Sequence, residues 1–506
     1  MRQKHFFFIP LLLLGLMVIR ADAIVAVPTD GIEPTSSEAD VDTPVLPEAI
    51  ERPPTIGVDQ PWAAPSYSNQ EKALGYGVEA FKTPAGMEER VAFWVDIYTK
   101  YTTDQGLLHD SRYINLIYES VDFSDLVQNE SLSLRQKEKA RRDRVKQAKK
   151  QIEERLLRLQ KLSSPEGLEG DDLRYWNLFA NVIEPKKFYE ASRRGRLRFQ
   201  LGQRDRFMEG IYQSGRHIKE MEEIFKREGL PLELTRLPFV ESSFNLKARS
   251  KVGASGIWQF MRSTARSYMR MDGSVDERND PLRSTVAAAR KLRNNYEMLQ
   301  SWPLAVTGYN HGPSGVQRLV RKFQTNNLAE LTDVRKGRFG FASANFYASF
   351  LAAVQVEQAA DKYFGPLPRM AELRGTEIKL SRPLAVKQII TWFGEDLSKA
   401  QTYNPHVRSH IWPKGTVQGR NFIRVTNEVA AQAQQDLNQG KVATITEAPL
   451  EDNEYVLQEG ETLSEIAERF KVKVQMLMDM NGITDARRIR AKQRLIIPVK
   501  QALSGP

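Results

Sequence analysis

Two short stretches of the sequence decide the fold: PFVESSF at residues 238–244 and GASGIWQF at residues 253–260. The first is an apolar segment with a single carboxylate, Glu241, and Leu237 and Phe244 recur around it at helical spacing. We therefore expect Glu241 on the core-facing side of a helix, where little water surrounds it. Because desolvation disfavours a charged carboxylate, the pKa of Glu241 should be raised. A carboxylic acid that stays protonated near neutral pH can donate a proton to a glycosidic oxygen.

Composition limits the classes of protein to which the chain can belong. Its 506 residues are 41% hydrophobic and 27% charged, which predicts a large core and several domains. The absence of cysteine excludes disulfides, thiolate metal sites and a lipoprotein anchor. A formal charge of +10 favours anionic polymers or membrane surfaces as partners. Nucleic acid is disfavoured, because an export signal is predicted and no nucleic-acid-reading motif is recognisable.

The N-terminus has the pattern of a secretory signal peptide. A basic start is followed by an apolar stretch and by Ala21-Asp22-Ala23, a cleavage pattern that predicts a signal over residues 1–23. Residues 24–70 are rich in proline and acidic residues, which indicates a disordered linker. We therefore expect an exported protein of the bacterial periplasm or cell wall that is not a lipoprotein.

Helical periodicity dominates the middle of the chain. Residues 71–215 are predicted to form a helical N-terminal region, and residues 216–366 a helical central domain. Within the first, residues 134–162 are dense in lysine and arginine. A solvated helix packed on one face explains this segment best, and a basic arm that touches an anionic polymer is the alternative.

Two small units at the C-terminus look like copies of one another. Residues 453–499 predict the order strand, helix, helix, strand, and residues 374–428 keep the same apolar landmarks with blurred turn chemistry. The later unit resembles a LysM domain, a module that binds polymers containing N-acetylglucosamine, in its GETL segment at residues 460–463 and in Asn481. The earlier unit resembles a degenerate LysM.

The central domain resembles the lytic transglycosylases of the lysozyme-like superfamily, particularly the membrane-bound D type. The motifs that carry the resemblance follow in order as ES at 241–242, GASGIWQF at 253–260, GYN at 308–310 and NFY at 345–347. The resemblance implies a mainly α protein with a lysozyme-like catalytic domain, a helical N-terminal region and small α/β LysM-like modules.

It also implies the reaction. In such enzymes one glutamate, here Glu241, protonates the β-1,4 bond between N-acetylmuramic acid (MurNAc) and N-acetylglucosamine (GlcNAc). It then acts as a base while the muramic 6-hydroxyl forms a 1,6-anhydro product. Peptidoglycan strands are the implied partner, LysM the targeting unit, and no cofactor or metal is expected. Partners among other cell-wall proteins are not identifiable from the sequence.

The resemblance further implies a set of substrate-binding residues, which are Ser242, Gly253, Gly256, Gln259, Tyr309, Asn310 and Tyr347. The hydroxyls of Ser242 and Tyr347 could orient Glu241 or the sugar, the amides could bind acetamido groups, and the glycines could let the backbone approach the glycan. Local hydrogen bonding for Ser242 and core packing for the tyrosines are the structural alternatives.

Other functions stay open at this point. A lysozyme-type muramidase would need a second carboxylate, for which Glu233, Asp272 and Asp276 are the nearest candidates along the chain. A non-catalytic peptidoglycan-binding scaffold is the other alternative. The acidic segment 272–280 lacks the glycine of a calcium loop, so we interpret it as a solvated loop. His406 and His410 lack an evident third ligand, which favours structural or surface roles.

Overall fold

The computed structural model describes residues 81–500, apart from 251, 335–338, 413, 440–449, 482, 484 and 492. The predicted signal peptide, the predicted linker over residues 24–70 and the first ten residues of the predicted helical region lie outside these residues. Within the described part of the chain, no helix is long and apolar enough to cross a membrane. The mainly α fold with small α/β units near the C-terminus, as predicted, is confirmed.

The first part of the described chain combines helices with a small sheet. Its elements are α1 (Glu88–Thr99), β1 (Gln105–Asp110), β2 (Ile117–Asp122), α2 (Ser124–Gln128), α3 (Leu134–Leu159), α4 (Gly170–Leu178), α5 (Lys187–Ser192) and β3 (Leu197–Leu201). The three strands form an antiparallel sheet in the order β2-β1-β3. The prediction of a helical region over residues 71–215 missed this sheet.

The basic segment forms the long helix α3. Ser133 begins it with a capping box shared with Gln136, and Ile152, Leu156 and Leu159 bury one face. Leu162 follows the helix and is exposed. The helix thus packs on one face and is solvated on the other, as the first of the two interpretations predicts.

The central part of the chain is helical. Its helices are α6 (Arg204–Ser214), α7 (Ile218–Arg227), α8 (Leu237–Ser242), α9 (Arg262–Ala265), α10 (Pro281–Leu299), α11 (Trp302–His311), α12 (Pro313–Phe323), α13 (Leu328–Val334), α14 (Phe341–Gln358) and α15 (Ala360–Phe364). Short 3-10 turns, Leu232–Arg236 and Glu277–Asn279, precede α8 and α10. The apolar helix α14 runs through the middle of the core, where most of its residues are buried.

The central core also includes the first helix of the described chain. Side chains of α1 and α6 belong to the same apolar cluster as those of α10, α11 and α14. Arg90 on α1 donates to the Oδ1 of Asn345 on α14 at 3.1 Å, inside this cluster. The β-sheet with α3, α4 and α5 has a separate core. The predicted domain boundary at residue 216 therefore lies within a single apolar core. The sheet region, which lies between α1 and α6 in the chain, has its own smaller core.

Two units with the order strand, helix, helix, strand follow. The earlier contains β4 (Thr376–Lys379), β5 (Leu384–Ala385), α16 (Val386–Trp392), α17 (Leu397–Tyr403), β6 (Thr416–Val417) and β7 (Phe422–Val425), and α18 (Ala430–Asn438) follows it. The later contains β8 (Leu450–Val456), α19 (Leu463–Arg469), α20 (Val474–Asn481) and β9 (Arg494–Lys500). In each, the outer strands pair antiparallel, β4 with β7 and β8 with β9.

The earlier unit is docked on the central domain through the acidic segment 272–280. Val275 lies in the apolar core of that unit and pairs with Val407 in an isolated β-bridge. Asp280 is fully buried, and its carboxylate accepts a hydrogen bond from the Nη1 of Arg424 at 2.7 Å. The Nδ1 of His406 lies 3.5 Å from the same carboxylate. The interpretation of this segment as a solvated loop is therefore wrong, because its carboxylates form the ionic part of a domain junction.

Candidate functional site

Glu241 lies at the end of a short helix whose other side is packed into the core. Pro238 occupies the first turn of α8, where its missing N–H is not needed. Phe239 and Phe244 are buried against one another with ring centroids 4.6 Å apart. The apolar face predicted from the sequence is thus present, although the helix ends at Ser242, before Phe244.

The backbone is strained where it leaves Glu241. Ser243 and Phe244 both adopt left-handed φ angles, of 50° and 55°, and Gln259 in the neighbouring turn has φ 47°. Side chains other than glycine rarely adopt this conformation, and such strain gathers at functional sites. These three residues set the direction of the chain around Glu241.

The carboxyl group of Glu241 is half-buried and makes no hydrogen bond within the described residues. Burial raises its pKa to about 7, and the nearby positive charge of Lys291 opposes that rise. The sequence argument for a raised pKa therefore agrees with the environment of this residue. A protonated, unbonded carboxyl at the edge of a core is free to donate to a ligand.

The turn at residues 253–260 is held in place by hydrogen bonds from three different elements. Ser242 Oγ donates to the carbonyl of Ile257 at 2.9 Å, and Tyr309 Oη donates to the carbonyl of Trp258 at 3.0 Å. Arg278 Nη1 donates to the carbonyl of Gly253 at 2.7 Å. These bonds fix the backbone beside Glu241, so the hydroxyls of Ser242 and Tyr309 act as donors within the protein.

The two glycines of this turn differ in what surrounds them. Both have positive φ, 91° at Gly253 and 77° at Gly256. A Cβ on Gly256 would lie 1.9 Å from the carbonyl oxygen of Arg278, whereas one on Gly253 would meet nothing within 4 Å. The protein itself thus requires glycine at position 256, and an approach of its backbone to glycan stays a prediction. Gly253 is exposed and stays a candidate.

The two amide residues of the predicted site, Gln259 and Asn310, are not fully buried. The Nε2 of Gln259 donates to the carbonyls of Gly256 and Ala248, at 2.7 and 3.2 Å, which leaves its Oε1 for a ligand. Asn310 is exposed on α11, and its Oδ1 accepts from the Oγ of Ser343 at 2.8 Å. Both positions suit the substrate contacts that were predicted for them.

The two tyrosines do not lie where a sugar could stack on them. Tyr347 is 0% exposed, and Tyr309 is 7% exposed and carries the ammonium group of Lys291 over its ring, 3.4 Å from the centroid. Direct contact between either ring and substrate is therefore not supported. Tyr309 instead anchors the turn through its hydroxyl, and Tyr347 is part of the core.

Sequence reasoning missed Lys291 and Arg278. Lys291 lies on α10 in the same helical stripe as the buried Ala287 and Ala288, and a lysine on an apolar stripe is a signal that could have revealed it. Arg278 is 2% exposed and bridges Asp276 to the carbonyls of Gly253 and Phe260. Its role depends on contacts that are distant in sequence, so no local pattern indicates it.

No metal centre is formed by the described residues: they contain no group of three or more histidine, aspartate or glutamate side chains placed to hold an ion. The carboxylates of the acidic segment are instead matched by guanidinium groups. Burial alone would raise the pKa of Asp280, but Arg424 and His406 hold it well below its ordinary value. His406 and His410 are thus structural, since His410 Nε2 also lies 3.0 Å from the carbonyl of Gly273.

Two models of known protein families match parts of this chain. Residues 221–331, which contain Glu241, the turn and α11, match the Transglycosylase SLT domain family. The chain carries a transglycosylase SLT domain. Residues 455–498 match the LysM domain family, in agreement with the resemblance of the later unit. The SLT match lies within the central core, and the LysM match covers most of the segment from β8 to β9.

The chain also has curated relatives. It is 29% identical over 268 residues to the membrane-bound lytic murein transglycosylase D of Escherichia coli strain K12 and to that of E. coli O6:H1 strain CFT073. The alignment covers 51% of this chain and 58% of each relative. The chain thus spans little more than half the length of the relatives it matches.

Proposed function

We propose that this chain is a peptidoglycan lytic transglycosylase in which Glu241 is the acid and then the base. The observation that carries the proposal is a half-buried carboxyl, with its pKa raised to about 7 and no hydrogen bond among the described residues, inside an SLT domain. The two curated relatives, which are named as lytic murein transglycosylases, support the same reaction class.

Each role of Glu241 follows from its protonation state. As a carboxylic acid it donates its proton to the oxygen of the MurNAc–GlcNAc β-1,4 bond, and the bond between that oxygen and C1 of MurNAc breaks. As a carboxylate it takes the proton of the muramic 6-hydroxyl, whose oxygen forms a bond to the same C1. The proton balance closes, water is not consumed, and Glu241 is protonated again. Intramolecular attack suits this site because the nucleophile is held beside the reacting carbon.

The surroundings of Glu241 favour this reaction over hydrolysis. A muramidase would need a second carboxylate about 5 to 10 Å away. Among the described residues, Lys291 is the only charged group that acts on the pKa of Glu241. Asp276 is buried and paired with Arg278, and Asp272 accepts from Ser274 and Asn421 in the domain junction.

The polymer and its location belong to the same proposal. The LysM domain would hold the enzyme on peptidoglycan and raise the local concentration of the catalytic domain, with no new contact at the active site. Peptidoglycan is outside the cytoplasmic membrane, so the proposal places the enzyme on the periplasmic side, as the predicted signal peptide requires.

Mass spectrometry of the products released from purified sacculi tests the reaction. We expect 1,6-anhydro-muropeptides from the wild type and none from Glu241→Gln, which keeps the size of the side chain but cannot donate or accept the catalytic proton. Reducing-end products would show a hydrolase instead. Binding of sacculi without release of products by the wild type would favour the scaffold.

A further inference from the structure

Arg278 joins the two ends of the turn at residues 253–260, which we call the active-site turn. Its Nη1 donates to the carbonyl of Gly253 at 2.7 Å and to the carbonyl of Phe260 at 3.1 Å. These are the first and the last residues of the turn. The side chain of Arg278 is 2% exposed, so both hydrogen bonds are shielded from water. One guanidinium nitrogen therefore closes the turn.

Asp276 fixes the guanidinium group in this place. Its two carboxylate oxygens accept from the Nε and the Nη2 of Arg278, at 2.9 and 2.8 Å. The pair is bidentate, and the carboxylate is fully buried. Such a pair restricts both the position and the plane of the guanidinium group, because two hydrogen bonds must form together. The remaining nitrogen, Nη1, is the one that donates to the active-site turn.

The main chain beside Arg278 contacts the same turn. The Oγ of Ser255 donates to the Oδ1 of Asn279 at 2.7 Å. The carbonyl oxygen of Arg278 fills the space next to Gly256, 1.9 Å from the place where a Cβ would lie. The 3-10 turn Glu277–Asn279 thus packs directly against the active-site turn, so a shift of one turn requires a shift of the other.

The active-site turn is also bonded to the helix that carries Glu241. Ser242, the next residue on α8, donates from its Oγ to the carbonyl of Ile257 at 2.9 Å. Gln259, a predicted substrate contact, belongs to the same turn. The turn therefore sets where these groups lie relative to Glu241. A misplacement of about 1 Å at a reacting centre can slow a reaction by about 100-fold.

The earlier C-terminal unit contacts Asp276 and the segment before it. The main-chain N–H of Asp276 donates to the carbonyl of His406 at 2.7 Å. The Nη1 of Arg408 lies 4.0 Å from the Oδ2 of Asp276, and the main-chain N–H of Arg408 donates to the carbonyl of Ser274 at 3.0 Å. The earlier unit is therefore linked to the active-site turn through two residues, Asp276 and Arg278.

We propose that Arg278 is a positioning residue for the reaction of Glu241, and that the earlier C-terminal unit takes part in the reaction by holding Arg278 through Asp276. The guanidinium group keeps the active-site turn closed and placed against α8. This inference rests on the proposed function of Glu241. The competing explanation is that Arg278 only stabilises the fold, since a buried ion pair that loses one partner is strongly destabilising.

Variants of Arg278 and a matched control separate the two explanations. Arg278→Gln removes the charge and the hydrogen bonds to both carbonyls, whereas Arg278→Lys keeps the charge and one donor group. Arg196→Gln is the control, because this arginine also pairs with a fully buried carboxylate, that of Asp110, at 2.9 Å. Arg196 lies directly before β3, in the region with its own core. Arg408→Gln tests the contribution of the earlier unit.

Three quantities are measured on each full-length variant: kcat and KM on soluble glycan fragments, the melting temperature, and the ¹H–¹⁵N chemical shift of the indole N–H of Trp258. Trp258 lies within the active-site turn, and its Nε1 donates to the Oγ1 of Thr285 at 2.9 Å. Its resonance therefore reports the position of the turn without substrate, and Trp258→Phe assigns that resonance. Activity is measured well below each melting temperature.

We expect the kcat of Arg278→Gln to fall by roughly 100-fold, with a smaller change in KM. Arg278→Lys and Arg408→Gln should each lose about tenfold in kcat, since each keeps part of the network. In all three variants the Trp258 resonance should move. Arg196→Gln should keep its kcat within about twofold of the wild type and leave the Trp258 resonance in place, although its melting temperature falls as that of Arg278→Gln does.

A wild-type kcat in folded Arg278→Gln would overturn the inference. An equal loss of kcat in Arg196→Gln would overturn it too, because the effect would then be one of general stability. A normal kcat in Arg408→Gln would remove the earlier unit from the proposal. If Arg278→Gln does not fold, Arg278→Lys decides, and a wild-type kcat with an unmoved Trp258 resonance counts against Arg278.

Failure of the proposed function gives a different result, since neither the wild type nor any variant would then turn over the glycan fragments. The Trp258 resonance still decides whether Arg278 holds the active-site turn. A resonance that moves in Arg278→Gln and not in Arg196→Gln supports this, and one that stays in place in both variants overturns it.

Discussion

At the scale of single residues, alanine substitutions of the two glycines in the turn at residues 253–260 provide a matched comparison. Gly256→Ala places a Cβ where the carbonyl of Arg278 lies and keeps a positive φ, so we expect a loss of about 3 kcal/mol or more in the free energy of unfolding, and loss of activity. Gly253→Ala should lower the free energy of unfolding by only about 1 kcal/mol, because alanine disfavours the positive φ at this position but its Cβ would meet no other atom. Urea denaturation of both variants measures the difference.

Equal losses in the two variants would contradict this assignment, since they would mean that backbone conformation alone, and not the contact with Arg278, requires glycine at position 256. Activity that survives in Gly253→Ala shows that the exposed glycine is dispensable for the reaction. Activity lost there without a loss of stability would place Gly253 at the glycan, as the sequence predicts.

The raised pKa of Glu241 also predicts how stability depends on pH. From the ordinary value of 4.5 to about 7, the folded chain holds a proton at Glu241 that the unfolded chain has released. The contribution of this group to stability therefore falls as pH rises through that window. Glu241→Gln should be more stable than the wild type by about 1 to 2 kcal/mol at pH 8, with the advantage shrinking towards pH 4.5.

Urea denaturation of wild type and Glu241→Gln at both pH values checks this. A difference that does not change with pH would show that the carboxyl is not desolvated. The comparison is independent of the reaction, because it needs no substrate.

Much of the site could be predicted from the sequence, because its key element is local. The placement of Glu241 follows from helical spacing over a few residues, and the raised pKa follows from that placement. Gln259 is half-buried and Asn310 is exposed, and the substrate contacts inferred for them from their motifs stay predictions. Tyr347 and Gly256 were predicted to contact substrate because a sequence motif identifies residue types but does not show in which direction each residue points. Lys291 and Arg278 act across long stretches of chain, where no local period reports contact.

At the scale of elements, the ionic junction between the acidic segment and β7 should be a large contributor to stability. Arg424→Met leaves the fully buried carboxylate of Asp280 without its guanidinium, for which we expect a loss of about 3 to 5 kcal/mol near pH 7. Because the pKa of Asp280 is held low, its contribution is present above the ordinary value of 3.8 and is lost as pH falls. The deficit of the variant should therefore shrink at acid pH.

The matched control is Lys139→Met, which removes the exposed partner of Asp143 on α3 and should change stability little. Urea denaturation of both variants at pH 7 and at pH 3, below the ordinary pKa of an aspartate, gives the comparison. A deficit in Arg424→Met no larger than that of the control would show that the junction opens to water in solution.

The elements themselves were predicted unevenly. Helix α8 and the helical character of the central domain follow from periodicity, as does the order of elements in both C-terminal units. The sheet β2-β1-β3 was missed because β3 comes some 75 residues after β2, beyond α3, and short strands next to strong helical periodicity give little signal of their own. The acidic segment was interpreted as solvated because the arginines that neutralise it, Arg408 and Arg424, belong to a different unit.

At the scale of the whole molecule, the two C-terminal units have the same order of elements but different relations to the catalytic core. The earlier unit shares Val275 with the central domain, buries Asp280 and supports the segment that carries Arg278. Arg278 in turn holds the turn beside Glu241. The earlier unit is therefore part of the body that positions the active site, while the LysM domain has a core of its own.

Two truncations should separate these roles. A chain that ends at residue 439 lacks only the LysM domain and should cleave soluble glycan fragments as the full chain does, while its binding to sacculi weakens. A chain that ends at residue 367 also loses the earlier unit, which exposes Val275 and leaves Asp280 and Asp276 without Arg424 and Arg408. We expect this second chain to lose its cooperative unfolding transition, because the segment that carries Arg278 loses the apolar and ionic contacts that hold it. Pull-down with sacculi, thermal unfolding and fragment cleavage measure the outcomes. If the chain ending at 367 folds and cleaves fragments normally, the earlier unit is an accessory module; if the chain ending at 439 loses fragment cleavage, the LysM domain contributes to the catalytic body after all.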